Sequence, residues 1–168
     1  MTSSTKQIVA SVALLVLAPR SDAAEVATKY TCTAAMVPER VTKTFINRGV
    51  VSSAPYTMSD SISYFKAKAG FTAFGFPLVG IEAFQEGTAF FARAPGTSPG
   101  NLFALVVQAA PREVLRAMAA KGLRASNPKD WNYPVLHVEA AEEQTLPKGL
   151  DRRQPYTHVV CKPRVNMP

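Results

Sequence analysis

Four polar residues near the end of the chain have the types and spacing to do chemistry: His137 and Glu139 in VLHVEA, and Tyr156 and His158 in YTHVVCK. Side chains two apart in a strand share a face, so each segment read as a strand presents its pair to one side. An antiparallel pairing with His137 opposite His158 puts Glu139 opposite Tyr156 and gathers all four on one patch. Two imidazoles and a carboxylate are the minimum for a metal site with open positions, or for acid–base work near neutral pH. The register is an assumption, and a slip of one residue sends the histidines to opposite faces. The chain has two histidines and neither H-x-H nor H-x-x-x-H spacing. A solvent-facing pair of strand histidines is the simpler account, so neither a metal nor a catalytic role is assigned to the patch.

Other catalytic patterns are weaker. H-E-x-x-H is absent, and no glycine-rich loop leads into a lysine and a hydroxyl residue. Glycines 70, 75 and 80 stand among aromatics and suit strand irregularities or close packing better than a phosphate cradle. The acid pairs Glu82/Glu86, flanking an expected hairpin tip, and Glu142/Glu143, in a connection, read as exposed carboxylates.

Residues 71–96 hold six of the nine phenylalanines. Strand alternation places Phe74 and Phe76 on one face and sends Phe90 and Phe91 to opposite sides. A two-layer domain has one buried sheet face, so one of the latter needs cover from a helix, a loop or a partner. Large aromatics ordinarily fill cores. The alternative is an apolar contact surface formed by Phe74, Phe76, Phe84, Phe90 and Phe91, with Trp131 and Tyr133 on a neighbouring loop as its rim.

The compartment follows from the first residues. Lys6, an uncharged run from Ile8 to Ala18, and the small residues of Ser21-Asp22-Ala23 read as a leader over 1–23. The run is about half of the ~20 apolar residues that a membrane span needs. Removing Lys6, Arg20 and Asp22 lowers the net charge from +7 to +6, leaving 17 basic and 11 acidic side chains over residues 24–168. A basic protein favours acidic partners such as lipid headgroups or anionic wall polymers. No four basic residues run together, and an exported protein does not meet nucleic acid. Cys32 and Cys161, an even pair, are expected to form one bridge in an oxidising compartment. No N-x-S/T acceptor occurs, which favours a bacterial envelope over a eukaryotic secretory route.

The elements that must position these residues read in order. Strands are expected at Tyr30–Met36, Ile62–Lys68, Phe71–Phe76, a hairpin of Leu78–Gln85 and Thr88–Ala94 turning at Gly87, the doubly buried run Leu102–Ala109, Val135–Ala140 and Tyr156–Lys162. Helices are expected from Pro38 to Gly49 and from Pro111 to Gly122, each with proline at the first turn and glycine just past the end. Residues 50–60 and the Pro95–Gly100 stretch read as loop. The sum is a single α+β domain over 24–168: an antiparallel sheet, one or two helices on one face, and one disulfide. The expected role is that of a periplasmic or secreted, non-enzymatic binding protein without a cofactor. It would act through the aromatic sheet face on an envelope protein or an apolar or anionic ligand. The alternative is a small envelope enzyme or metal-binding protein built on His137, His158, Glu139 and Tyr156.

Overall fold

The computed structural model describes residues 24–26, 32–97, 99–126 and 134–163. The expected leader, Trp131 and Tyr133 lie outside them. The elements are β1 (Ala24–Glu25), α1 (Pro38–Asn47), β2 (Thr57–Ser59), β3 (Ile62–Lys66), β4 (Phe71–Ala73), β5 (Phe76–Phe84), β6 (Leu102–Val107), α2 (Pro111–Ala120), β7 (Val135–Ala140), a 3-10 turn (Glu143–Thr145) and β8 (Thr157–Lys162). The strands run β1-β4-β5-β6-β8-β7, with β3 also beside β5 and β2 beside β3. Every pairing is antiparallel except β1 with β4, which is parallel. The sheet is therefore mixed, which corrects the expectation of a purely antiparallel one. No helix among the described residues is long and apolar enough to cross a membrane.

Both helices form where their punctuation places them. In α1 the acid Glu39 follows Pro38, and Gly49 takes a left-handed φ of +68° just beyond the end. In α2 the Glu113 carboxylate accepts the Ala110 N–H at 3.0 Å, satisfying one of the donors a helix start leaves open. Phe45 of α1 meets Phe103 of β6 edge-on at 5.4 Å. Val114 and Met118 of α2 are fully buried in the same apolar cluster as Phe103, Leu105, Val107 and Val159. Alternation along β6 puts 103, 105 and 107 on one face, so both helices cover that face. All six residues of β6 are buried, which requires a second layer on the other side. The return segment between β7 and β8 supplies it: Leu146 and Tyr156 pack on Val79 and Val106.

Several expectations fail for identifiable reasons. Phe71–Phe76 is two strands, β4 and the start of β5, joined by a turn in which Phe74 and Gly75 both have positive φ (57° and 85°). The Glu25 carboxylate accepts both their N–H groups, at 2.8 and 3.0 Å, so a residue of β1 holds the turn. Phe74 and Phe76 consequently do not share a strand face. The 88–94 half of the expected hairpin is not a strand. Its backbone donors go to hydroxyls instead of a ladder: Phe90 N–H to Thr88 Oγ1 at 3.1 Å and Ala94 N–H to Ser61 Oγ at 2.8 Å. The partner of β5 is β6, across a longer loop. Phe90 and Phe91, no longer in a strand, stack edge-to-face at 4.8 Å rather than pointing apart. From Cys32 to Val37 there is a turn and no strand. Within the stretch read as loop, β2 forms and Val51 bridges Ala67.

Cys32 and Cys161 are bonded, with alpha carbons 5.4 Å apart and a sequence separation of 129. Cys161 lies on β8, flanked by β6 and β7, so the bridge ties the opening segment to the interior of the sheet and not to a neighbouring strand. Denaturing, non-reducing thiol titration is expected to find no free thiol. Changing both cysteines to serine should lower unfolding free energy by about 2–5 kcal/mol, as chain-entropy estimates for long loops give. Two titratable thiols in the native protein would contradict the pairing.

Candidate functional site

On the face of the sheet away from the helices, the residues of β5, β6 and β8 stand in register. Glu82 of β5 is opposite Ala104 of β6, Ala104 is opposite Val160 of β8, and His158 of β8 is opposite Val106. Glu82 and His158 are thus two strands apart and one diagonal step along, about 10 Å across the ladder. Ala104 between them carries only a methyl group, and the two longer side chains meet over it. Glu82 Oε1 and His158 Nε2 stand 2.8 Å apart, with 7% of each side chain exposed. The two side chains make a close carboxylate–imidazole contact. Neither atom has a hydrogen-bond partner among the described residues. A buried carboxylate and imidazole with unused hydrogen-bonding capacity are a functional-site candidate on physical grounds.

The pair lies in a pocket of about 290 Å³ whose wall includes Tyr64, Glu139, Glu142, Asp60 and Ser59. The turn Glu143–Thr145 forms the roof. It is held down by Tyr56, whose hydroxyl donates to the Thr145 carbonyl, and by Arg152, which donates to the Glu143 carbonyl at 2.7 Å. Burial pushes the Tyr56 and Tyr64 hydroxyls well above the ordinary phenol range, and the Glu82 charge pushes both in the same direction. For Tyr64, Glu142 and Asp60 add to the effect. Both phenols stay protonated at neutral pH and remain hydrogen donors.

On the other side of this roof is a broader pocket of about 820 Å³. Lys66, Lys148 and Arg152 line it against the single acid Glu143, with Tyr56, Leu146 and Pro147 as apolar surface. Gln144 lines both pockets. One sheet face therefore carries an acid-walled pocket beside a base-walled one.

The residues singled out in the sequence divide as follows. The strands β7 and β8 do pair, but Glu139 faces His158 and His137 faces Val160, a shift of two residues from the assumed register. An even shift keeps every side chain on its face. Glu139 and His158 therefore reach the pocket together, whereas half-buried His137 stands one step away and does not line it. Tyr156 shares the face but packs on Val79, Val106 and Leu146, and its hydroxyl donates to the Asp151 carbonyl at 3.2 Å. Glu82, expected as an exposed acid at a hairpin tip, is buried in mid-sheet because that hairpin does not form. The signal for it was present, since Glu82 is the only charged residue in FPLVGIEAF, all of which is buried from Leu78 onward.

Of the aromatic cluster, Phe74, Phe84 and Phe91 are 2–4% exposed and belong to the core, Phe84 and Phe91 packing on one another at 6.3 Å. Phe76 and Phe90 are partly exposed, and Lys43 lies 5.1 Å above the Phe90 ring. The loop cover weighed as one alternative is what the 86–97 segment provides. Residues 96–100 also spell G-x-S-x-G, the pattern of a nucleophile elbow. The elbow needs a strand-to-helix turn, and this stretch precedes strand β6; Ser98 itself lies outside the described residues.

A buried pair of this kind is destabilised strongly by removing one partner and little by removing both. His158→Leu is expected to cost about 3–5 kcal/mol in denaturant unfolding at pH 7, and Glu82→Met with His158→Leu should recover most of that loss. Two independent, additive losses would mean that the two side chains do not interact. For the tyrosines, a raised folded pKa stabilises the fold below the unfolded phenol value of about 10 and loses that effect as pH rises above it. Unfolding midpoints followed from pH 9 to 12 should therefore fall, less steeply in Tyr64→Phe, whose phenol is the more deeply buried of the two. An unchanged slope in that variant would refute the linkage. No family model, curated protein or solved structure matches this chain, so the reading of the face rests on its own residues.

Proposed function

We propose that this is an exported binding protein that takes an anionic ligand with an apolar portion in the pocket between Tyr56 and Lys148. The observation that carries the reading is the convergence of Lys66, Lys148 and Arg152 on an apolar floor of Tyr56, Leu146 and Pro147. Few polar groups on a mostly apolar concave surface are the usual make-up of a small-molecule site. Arg152 is pre-positioned by its two bonds to the return segment, at 2.7 Å to Glu143 and 3.5 Å to Leu146, and keeps further donors for a ligand. The basic balance of the chain favours such a ligand over long range. Export is supported by the disulfide, which persists in oxidising compartments, and by the leader-like first residues.

Binding is favoured over catalysis by what surrounds His158. Its Nε2 faces Glu82, and no hydroxyl among the described residues hydrogen-bonds to it, so the nucleophile–base contact of covalent catalysis is not formed. The aromatic face as a whole offers less. Three of its five phenylalanines are core, leaving Phe76 and Phe90 as the accessible pair.

An anilinonaphthalene sulfonate, both apolar and anionic, is a direct probe. Saturable fluorescence enhancement is expected with the folded protein. It should weaken as salt screens the exposed cations and be lost in Lys66→Glu with Lys148→Glu. Arg112→Glu, on the exposed side of α2, should leave it unchanged. Equal enhancement in all three proteins, with native near-ultraviolet dichroism, would refute the site.

A further inference from the structure

We propose that the cleft between α1 and the segment leading into it is a second site, which takes the alkyl chain of a fatty carboxylate and pairs its head with Arg40 and Arg48. Three observations lead there. The cleft has a volume of about 310 Å³, at the lower end of the range for small-molecule sites. Its apolar lining is the margin of the core: Val26, Met36, Val41 and Phe45 pack on the buried cluster and are themselves only partly covered. Its charged lining is wholly cationic, because Arg40 and Arg48 are the charged residues that border it among the described ones.

The local sequence builds both walls. Positions 40 and 44 of α1 and its cap residue 48 recur every four residues and so stand along one side of the helix, with Val41 and Phe45 beside them. The Phe45 ring is fixed edge-on to Phe103 of β6 at 5.4 Å. On the facing side, the Val26 N–H donates to the Thr72 carbonyl at 2.8 Å. The turn carrying Met36 is closed by its N–H bond to the Thr33 carbonyl at 3.1 Å and follows directly on the disulfide at Cys32. Walls held in advance lower the ordering cost of binding. Both arginines are exposed, and their guanidiniums make no ion pair or hydrogen bond among the described residues, so their donors are open to a ligand. The planar guanidinium fork matches a carboxylate. Unbranched Met36 adapts to a flexible chain. The cleft shares no residue with the basic pocket beside Tyr56 and has less than half its volume, which suits a single chain better than the fused rings of the naphthalene probe.

The disulfide-intact protein should be titrated with octanoate, decanoate and dodecanoate and followed by amide chemical shifts, with 1-decanol as the uncharged control and decyltrimethylammonium as the cationic one. Saturable shifts are expected at residues 26, 33–37 and 40–48 with the carboxylates. Affinity should rise about fourfold for each added methylene and level off once the chain outgrows the cleft. Decanol should bind about tenfold more weakly than decanoate or worse, as should decanoate to Arg40→Gln with Arg48→Gln, since each loses the charge-assisted bonds. Ala35→Trp, at an exposed position on the cleft wall, should abolish binding by filling the space, with the unfolding midpoint retained. Lys66→Glu with Lys148→Glu should leave decanoate binding unchanged, which separates failure here from failure of the basic pocket. Shifts at residues 56–66 and 143–152 instead of these, equal binding of decanol or the ammonium, affinity independent of chain length, or affinity unchanged in the arginine and tryptophan variants would overturn the proposal.

Discussion

The polar half of this molecule depends on the hydrogen bond from the Tyr56 hydroxyl to the carbonyl of Thr145, with Arg152 bonding the Glu143 carbonyl beside it. It pins the segment returning from β7 to β8 against the strand face that the helices leave bare. With that segment in place β6 is buried on both sides, as its unbroken apolar sequence requires. The face also becomes an interior, in which a charge has few places to go. Glu82, His158 and Tyr64 are 4–5% exposed because of this cover and not because of any local preference of their own. The contact is long in sequence, 89 residues, so local propensity could not foretell it.

Stability alone gives little reason for the carboxylate and imidazole under this cover. Taking two ionisable groups out of water costs several kcal/mol each, and a well-packed apolar pair of similar size is usually no worse. The face itself admits apolar residues, since Val106 and Val160, which stand on it beside the pair, are buried. What the pair contributes is a fixed polar floor at a defined place, made possible by the small Ala104 between its members. Gly80, next but one to Glu82, serves the same packing from the other side: a side chain there would sit 2.8 Å from the Phe65 carbonyl oxygen, so β3 and β5 approach closely only without one.

What the sequence discloses depends on range. Proline, acid and glycine punctuation locates both helices to within two residues, and the apolar run 102–107 announces a strand covered on both sides, because those signals are local. The cysteine pair and the two closing strands are likewise legible. The hairpin after Gly87 is not, since the turn forms there but the following residues are captured by hydroxyls of Thr88 and Ser61. A β-rich reading has no means of weighing that competition. The same error hid Glu82, which looked like a tip residue only while a hairpin was assumed. The histidine patch was legible in part: the face was right and the register was off by two, so Glu139 and His158 meet while His137 and Tyr156 fall outside the pocket.

The bond between Cys32 and Cys161 also has a mechanical meaning. A load applied to the two extremities of the chain runs from residue 32 to residue 161 through sulfur, and the strands between them lie off its path. Such a load can straighten only what lies outside the bridge, so the ladder of β5, β6 and β8 and the pockets built on it are shielded from tension. A chain pulled at both ends would keep this sheet face intact until the covalent link itself was reduced.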